Sequence, residues 1–397
     1  MKAVVSINSG SSSIKFSLFA LGGKDGLSLS AGGKIEKIGI APSLRAHSAD
    51  GETLIERDWP DGALLTHADL LADLLAWAGE HLLEGQDVIA IGHRVVHGGT
   101  DFAAPRLVDA ALLDKLEALC PLAPLHQPHN LAAIRAIAKL EPGLPQVACF
   151  DTAFHHDKPD VAARFAIPRA FHDQGIRRYG FHGLSYEYVA RRLAEIDPAL
   201  ASGRVIAAHL GNGASLCAMW GGRSVDTTMG FTALDGLVMG TRCGGIDPGV
   251  VLHLQLRMGM SARDIEEMLY RKSGLLGVSG LSSDMRTLAA SDAPEAEEAM
   301  ALFAWRAARE TAALAASLGG LDGIVFTAGI GENDAAMRAR ICARLAWLGV
   351  ELDERANAAN APLVSTPGSR VAVRVIPTDE ERMIALHTLR VLGERTP

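Results

Sequence analysis

Residues 5–19, VSINSGSSSIKFSLF, read as a strand, a turn of serine and glycine, and a second strand. The same layout returns in the other half of the chain at 207–220, AAHLGNGASLCAMW, with Gly213 in the place of Gly10. A turn of this composition presents N–H and O–H donors with little side-chain obstruction, which suits phosphate oxygens. It is not a P-loop, because the G-x-x-x-x-G-K-[ST] pattern is missing and a strand, not a helix, follows. Alone, such a turn is an ordinary exposed hairpin. A second echo pairs VIAIGHRVVHGG (88–99) with IVFTAGIGEN (324–333), each an apolar strand entering a glycine-rich loop. Two echoes in the same order predict a duplicated α/β unit, the halves facing each other across a cleft.

The other segments agree. Strands are expected at Ala3–Ile7, Ile14–Phe19, Val88–Ile91, Gln146–Phe150, Val205–His209, Ser215–Trp220, Gly323–Thr327 and Val371–Ile376. Helices are expected at 63–84, after Ser261, at 295–318 before Gly319-Gly320, and after Asn333 as its cap. Alternating elements predict mixed sheets flanked by helices. A chain of 397 residues exceeds what one core usually organises. Two domains are expected: 1–151 with a C-terminal helix 385–397, and 152–384.

Composition narrows the class. Hydrophobic residues make up 48% and charged residues 21%, as in a globular protein. Lys and Arg number 38 against 46 Asp and Glu, a net charge of −8. That balance gives no footprint for nucleic acid or an anionic membrane. Five scattered cysteines without a C-x-x-C pair suggest reduced thiols and a cytoplasmic setting. The amino terminus lacks a signal-peptide core, and no run of about 18 apolar residues predicts a membrane span.

Several polar residues stand where ligands bind in α/β sheets. Arg94 (GHRVVHGG) and Arg242 (GTRCGG) are flanked by glycines, one in each half, and their guanidinium forks match phosphate or carboxylate. Asp151 follows a predicted strand, at the end where open sheets place ligands; a capping role is the plainer alternative. His182 precedes a predicted helix, where a packed core histidine is the plainer alternative. His155 and His156 are adjacent and point opposite ways, so they make no zinc site. Asp379, Glu380 and Glu381 favour a helix N-terminus and could also hold Mg²⁺.

Taken together, NSGSSSIKF, GHRVVHGG, PLAPLHQPHN, CFDTAFH, YGFHGLSY, HLGNGAS, DTTMGFTALDGLVMGTRCGGIDPG, SGLLGVSGLSSDMR, FTAGIGEN and PTDEE resemble, in order, the acetokinase family. That family belongs to the acetate and sugar kinase, heat-shock protein and actin superfamily. The resemblance implies two actin-like (ribonuclease H-like) domains. It also implies reversible, direct in-line phosphoryl transfer between ATP and acetate, giving acetyl phosphate and ADP. Arg94, Asp151, His182 and Arg242 match the catalytic set, and Val96, Leu125, Phe181 and Ala233 the small acyl pocket, with Arg94 also at the carboxylate. Asn8 and Glu380 match the residues near Mg²⁺, for which Mn²⁺ could substitute. Lys15, His209, Leu210, Gly211, Asn212 and Gly213 fall by the ATP phosphates. Asp284, Met285, Arg286, Gly329, Ile330, Gly331, Glu332 and Asn333 fall by the nucleoside. A cytoplasmic homodimer is implied, with neither nucleic acid nor membrane as partner.

Three departures stand out. The usual TRSGDIDPG reads TRCGGIDPG, placing Cys243 and Gly245 beside Arg242. FTPLEG reads FTALDG, so Ala233 replaces a proline and a propionate or short-chain carboxylate kinase is the nearest alternative. PTNEE reads PTDEE, adding Asp379 next to Glu380. A sugar kinase would need a polar sugar site, and a heat-shock-type ATPase an appended peptide-binding domain.

Overall fold

In the computed structural model the described residues are 1–10, 12–22, 26–82, 86–393. Ser11 of the opening turn, residues 83–84 of the first expected helix and residues 394–397 of the expected C-terminal helix lie outside them. The chain forms two compact units, one of Met1–Ala153 with the segment from Asp379 onward, the other of Phe154–Thr378.

The first unit is built on an eight-stranded sheet: β1 (Lys2–Ser9), β2 (Ile14–Leu21), β3 (Leu27–Glu36), β4 (Ser43–Ser48), β5 (Thr53–Asp58), β6 (Asp87–Val95), β7 (Arg106–Leu107) and β8 (Gln146–Phe150). Their order is β5-β4-β3-β2-β1-β6-β8-β7. The second unit holds five strands: β9 (Arg204–Leu210), β10 (Ala214–Trp220), β11 (Arg223–Thr227), β12 (Gly323–Thr327) and β13 (Ala372–Val375), ordered β11-β10-β9-β12-β13. The run β3-β2-β1-β6-β8 repeats as β11-β10-β9-β12-β13. In both, the first two steps are antiparallel and the last two parallel. Both sequence echoes therefore fall on equivalent places, β1–β2 on β9–β10 and β6 on β12.

The central strands are buried on both faces, which is why they read as apolar runs rather than alternations. On one face of the first sheet, Ile7, Phe16 and Ile91 pack against Leu70, Leu74 and Trp77 of helix His67–His81 and Ile137 of helix Gln127–Leu140. Thr66 and Asp69 close a capping box at the start of the former. Helix Glu380–Leu392 packs on β1, β6 and β8. Its approach depends on Gly92, where a Cβ would collide with Thr388 and Ile384. In the second unit Tyr186, Val189 and Leu193 of helix Gly183–Ile196 share a core with Val205, Ala207, Met219 and Val325. The 25-residue helix Pro294–Leu318 packs on β9, β10 and β11.

Some expectations are corrected. β3, β4, β5, β7 and β11 carry too many polar residues, or the Gly32-Gly33 pair, to read as strands. Asn333 does not cap the helix Ala335–Ala343; Asp334 does, accepting from Met337 N–H. Asn333 instead ends the short helix Ala328–Asn333. The chain rejoins the first unit at Asp379 rather than 385, because Glu380–Leu392 is one continuous helix and its first turn goes with the rest. Among the described residues no helix is long and apolar enough to cross a membrane.

Candidate active site

In the first unit, Asn8 lies near the end of β1, Arg94 near the end of β6 and Asp151 just beyond β8, while Glu380 opens the last helix. Parallel register between β1, β6 and β8 brings these ends side by side, the edge where such sheets place ligands. Asp151 is 1% exposed and grips Arg94 with both oxygens: Nε donates at 3.1 and 3.0 Å and Nη2 at 2.6 Å. The capping alternative for Asp151 is thereby replaced by an arginine clamp. Arg94 Nη1 faces the other way, 3.4 Å from Asn8 Oδ1 and 3.7 Å from Glu380 Oε2. Burial opposes the charge on Arg94, but Asp151 and Glu380 outweigh it and push its pKa above the ordinary value. A guanidinium held this way is charged and aimed before any substrate arrives.

Lys15 pairs with Asn8 across the hairpin and shares a cavity of about 280 Å³ with Glu381. Burial, with Glu380 beside it, raises the pKa of Glu381, and Lys15 acts in the opposite sense. Asp379 accepts from Arg382 N–H as the cap of its helix, so the bland reading holds for that carboxylate. Asn130 was given no role on sequence grounds, although it closes PLAPLHQPHN. Its amide donates to Ser9 C=O at 2.6 Å and accepts from Val96 N–H at 3.0 Å, tying the β1–β2 turn to the end of β6. Val96 is buried and Leu125 half-buried.

In the second unit the turn between β9 and β10 closes through Gly211 N–H to Gly213 C=O. A Cβ at Gly213 would sit 2.9 Å from Arg242 Nη2 and 3.3 Å from His182 Nε2. Glycine therefore lets both side chains converge on the turn. Arg242 Nη1 donates to Ala233 C=O at 2.7 Å. His182 caps its helix in the left-handed region, φ 57°, a conformation that costs a non-glycine residue of order 1–3 kcal/mol. Its Nδ1 bonds Ser215 Oγ at 2.8 Å, and Tyr186 Oη reaches the same hydroxyl at 2.5 Å. The packed-histidine alternative is thus half right: the ring is buried, stacked 4.1 Å from His209, and still presents Nε2 to the turn.

Two further residues secure that loop. His155 Nε2 bonds Phe181 C=O at 2.9 Å, and Lys158 Nζ donates to Tyr179 C=O at 2.6 Å. Both are buried, and burial holds the His155 pKa down at about 3 and that of Lys158 at about 8. Both ring nitrogens of His155 are taken by protein partners, Nδ1 by Ser224 Oγ and Nε2 by Phe181 C=O.

The remaining nucleotide candidates divide into backbone and side-chain positions. Leu210 and Met285 are core side chains, leaving only their backbones for a ligand. Asn212 C=O accepts from Gly240 N–H, and Ser283 C=O passes 3.1 Å from where a Gly240 Cβ would stand. Asp284 caps the next helix and pairs with Arg286, whose side-chain hydrogen bond helps lower the Asp284 pKa to about 2. Ala328, at φ 63°, begins the turn that carries Gly329, Ile330 and Gly331. Glu332 braces it, accepting from Ala328 N–H at 2.7 Å and Thr378 N–H at 3.0 Å. Asn333 donates to Gly329 C=O.

The family model of the acetokinase family matches residues 3–386. The chain belongs to the acetokinase family. Within it, the chain is 54% identical over 389 residues to a protein named acetate kinase from Rhodopseudomonas palustris, covering 97% of each. It is 50% identical to acetate kinase from Rhizobium meliloti, with 99% of each covered. Among solved structures it resembles a propionate kinase from Francisella tularensis (TM-score 0.89, 38% identity, 98% and 99% covered). It also resembles acetate kinase from Porphyromonas gingivalis (TM-score 0.86, 37% identity, 99% and 100% covered).

The departures from the family run can now be placed. Cys243 is half-buried, its thiol pKa raised by burial, and its Sγ donates to Gly244 C=O at 3.1 Å. Gly245 C=O accepts from Arg306 Nη1 at 3.1 Å. Ala233 retains the carbonyl that holds Arg242, so its change from proline alters the side chain and spares that bond.

Proposed function

We propose that this protein is an acetate kinase, moving a phosphoryl group reversibly between ATP and acetate to give ADP and acetyl phosphate. The observation that carries the reading is the pair of fixed guanidiniums, Arg94 clamped by Asp151 and Arg242 converging with His182 on Gly213. Acetate is ionised at neutral pH, since carboxyl pKa values lie near ~4, so the reaction needs no strong base. Its obstacle is bringing one anion onto another. Direct transfer forms the bond from an acetate oxygen to the γ-phosphorus as the bond to the ADP oxygen breaks, inverting phosphorus. In this reading Arg94 and Arg242 neutralise the carboxylate and the equatorial oxygens, and His182 Nε2 donates to the phosphoryl group in transit. Positioning and charge neutralisation then do most of the work.

Asn8 Oδ1 and the Glu380 carboxylate, both facing Arg94, are hard oxygen donors too few for a full cage. They fit Mg²⁺, or Mn²⁺, completed by water and phosphate oxygens. Such an ion supplies charge neutralisation at the β- and γ-phosphates. Five scattered cysteines without a C-x-x-C pair support a cytosolic setting, and the family supports a homodimer, which sedimentation would test.

A hydroxamate assay with ATP, Mg²⁺ and acetate, propionate or butyrate tests the reading. The expected result is carboxylate-dependent turnover, highest kcat/KM with acetate, lost on chelation and inverting phosphorus. Carboxylate-independent hydrolysis or retention would overturn it. Ala233 and the likeness to a propionate kinase favour a second reading, propionate as preferred substrate. One methylene is worth about 1–3 kcal/mol, so the kcat/KM ratio decides.

A further inference from the structure

The second unit contains a cavity of about 630 Å³ that none of the residues assigned above lines, a size typical of small-molecule sites. One wall is helix Pro294–Leu318, another the segment around Asp235 and Gly245. Its lining carries Arg178, Arg306 and Arg309 against Asp226, Asp235, Asp247 and Glu310, and Asp247 accepts from Gly249 N–H. Arg178 pairs with Asp235 at 3.0 Å, Arg309 with Glu310, and Asp226 accepts from Ser317 Oγ at 2.9 Å. Arg306 differs. It forms no ion pair among the described residues, and its one hydrogen bond runs from Nη1 to Gly245 C=O. Its Nε is buried without a hydrogen-bond partner among them. A buried guanidinium N–H with no acceptor is an exception in native structures, and the same side chain lines the cavity. Nothing at position 245 can supply it, because glycine has no side chain. A Cβ built there would lie 3.5 Å from Arg306 Nη1, in open contact distance.

We propose that this cavity is a second ligand site, taking a small oxyanion whose carboxylate or phosphate group pairs with Arg306. Guanidinium geometry suits either group, and the polar walls suit a hydrophilic metabolite. The site is coupled to the candidate active site by a short path. Gly245 N–H donates to Gly236 C=O, and Arg242, three residues earlier, donates to Ala233 C=O. An anion drawing Arg306 away from Gly245 C=O loosens the segment that presents Arg242, so occupancy changes kcat.

Isothermal titration of the whole protein with inorganic phosphate, and separately with succinate, tests this while Mg²⁺, ADP and acetate saturate the catalytic site. The expected result is one additional equivalent bound by at least one probe, weakened about tenfold or more by Arg306→Gln and by Gly245→Asp. The second substitution places a carboxylate against Arg306 and needs no backbone strain. Phosphate binding alone identifies a phosphorylated ligand, succinate alone a carboxylate. No binding by either probe overturns the proposal, as does binding that survives unchanged in Arg306→Gln, which also decides the matter should Gly245→Asp not fold. Turnover at saturating substrates should shift at least about twofold with the bound probe in the wild type and not in Arg306→Gln; an unchanged turnover overturns the coupling.

Discussion

The two units share a five-strand order and hold their arginines by opposite means. In the first, Arg94 is locked by three contacts to a carboxylate that is 1% exposed. In the second, Arg242 donates to the Ala233 carbonyl, and its neighbour His182 stands on left-handed backbone beside a glycine. A buried ion pair sets the guanidinium rigidly but makes folding depend on both partners. Arg94 lies near the end of β6, whereas Arg242 follows β11 and not β12, the strand that corresponds to β6, so the two arginines are not copies of one duplicated position.

Arg242→Ala is expected to lower kcat about 10³-fold, with ATP affinity and melting temperature little altered. Steady-state kinetics beside a thermal melt check this, and an unfolded variant would break the contrast. Asp151→Ala should instead cost about 3–5 kcal/mol of stability as well as activity, because it strands Arg94. Urea unfolding measures it, and a stability loss no larger than that of Arg242→Ala would erase the difference. Asn130→Ala removes two hydrogen bonds at the first turn and should cost about 2 kcal/mol. Gly213→Ala crowds Arg242 and His182 by a few tenths of an ångström and should lower kcat about tenfold with stability retained. Unchanged turnover would show that the second turn has slack.

A further contrast lies in pH dependence. Burial holds His93 and His97 in the first unit at about 4, and His155 in the second at about 3, against 6.5 when exposed. The unfolded chain therefore binds these protons first. Their contribution to stability is complete above pH 6.5 and is lost as pH falls toward 4, by about 1.4 kcal/mol per pH unit for each histidine. Lys158, depressed from 10.5 to about 8, adds a rise in stability between pH 8 and 10.5 that Lys158→Met should flatten. Urea titrations across both windows would detect each slope.

Strands with continuous apolar runs were legible because burial on both faces leaves no polar position. The outer strands β3, β4 and β5, ending at the edge strand β5, were not, since only one of their faces or none meets the core. Arg94 and Arg242 were legible as cations among glycines, and Asp151 by its place after a strand. Asn130 and Lys158 were missed, because each acts through partners far away in the chain.

By itself the sequence determined the duplicated α/β plan, the family and the residue types offered to an anion, because apolar runs, glycine turns and ordered motifs are local signals. Only the tertiary structure decided that Asp151 clamps Arg94 and that Gly213 admits both Arg242 and His182. It alone left Arg306 without an ion pair among the described residues, beside a cavity. Those are relations between residues dozens of positions apart, fixed by strand register and packing rather than by any neighbouring residue.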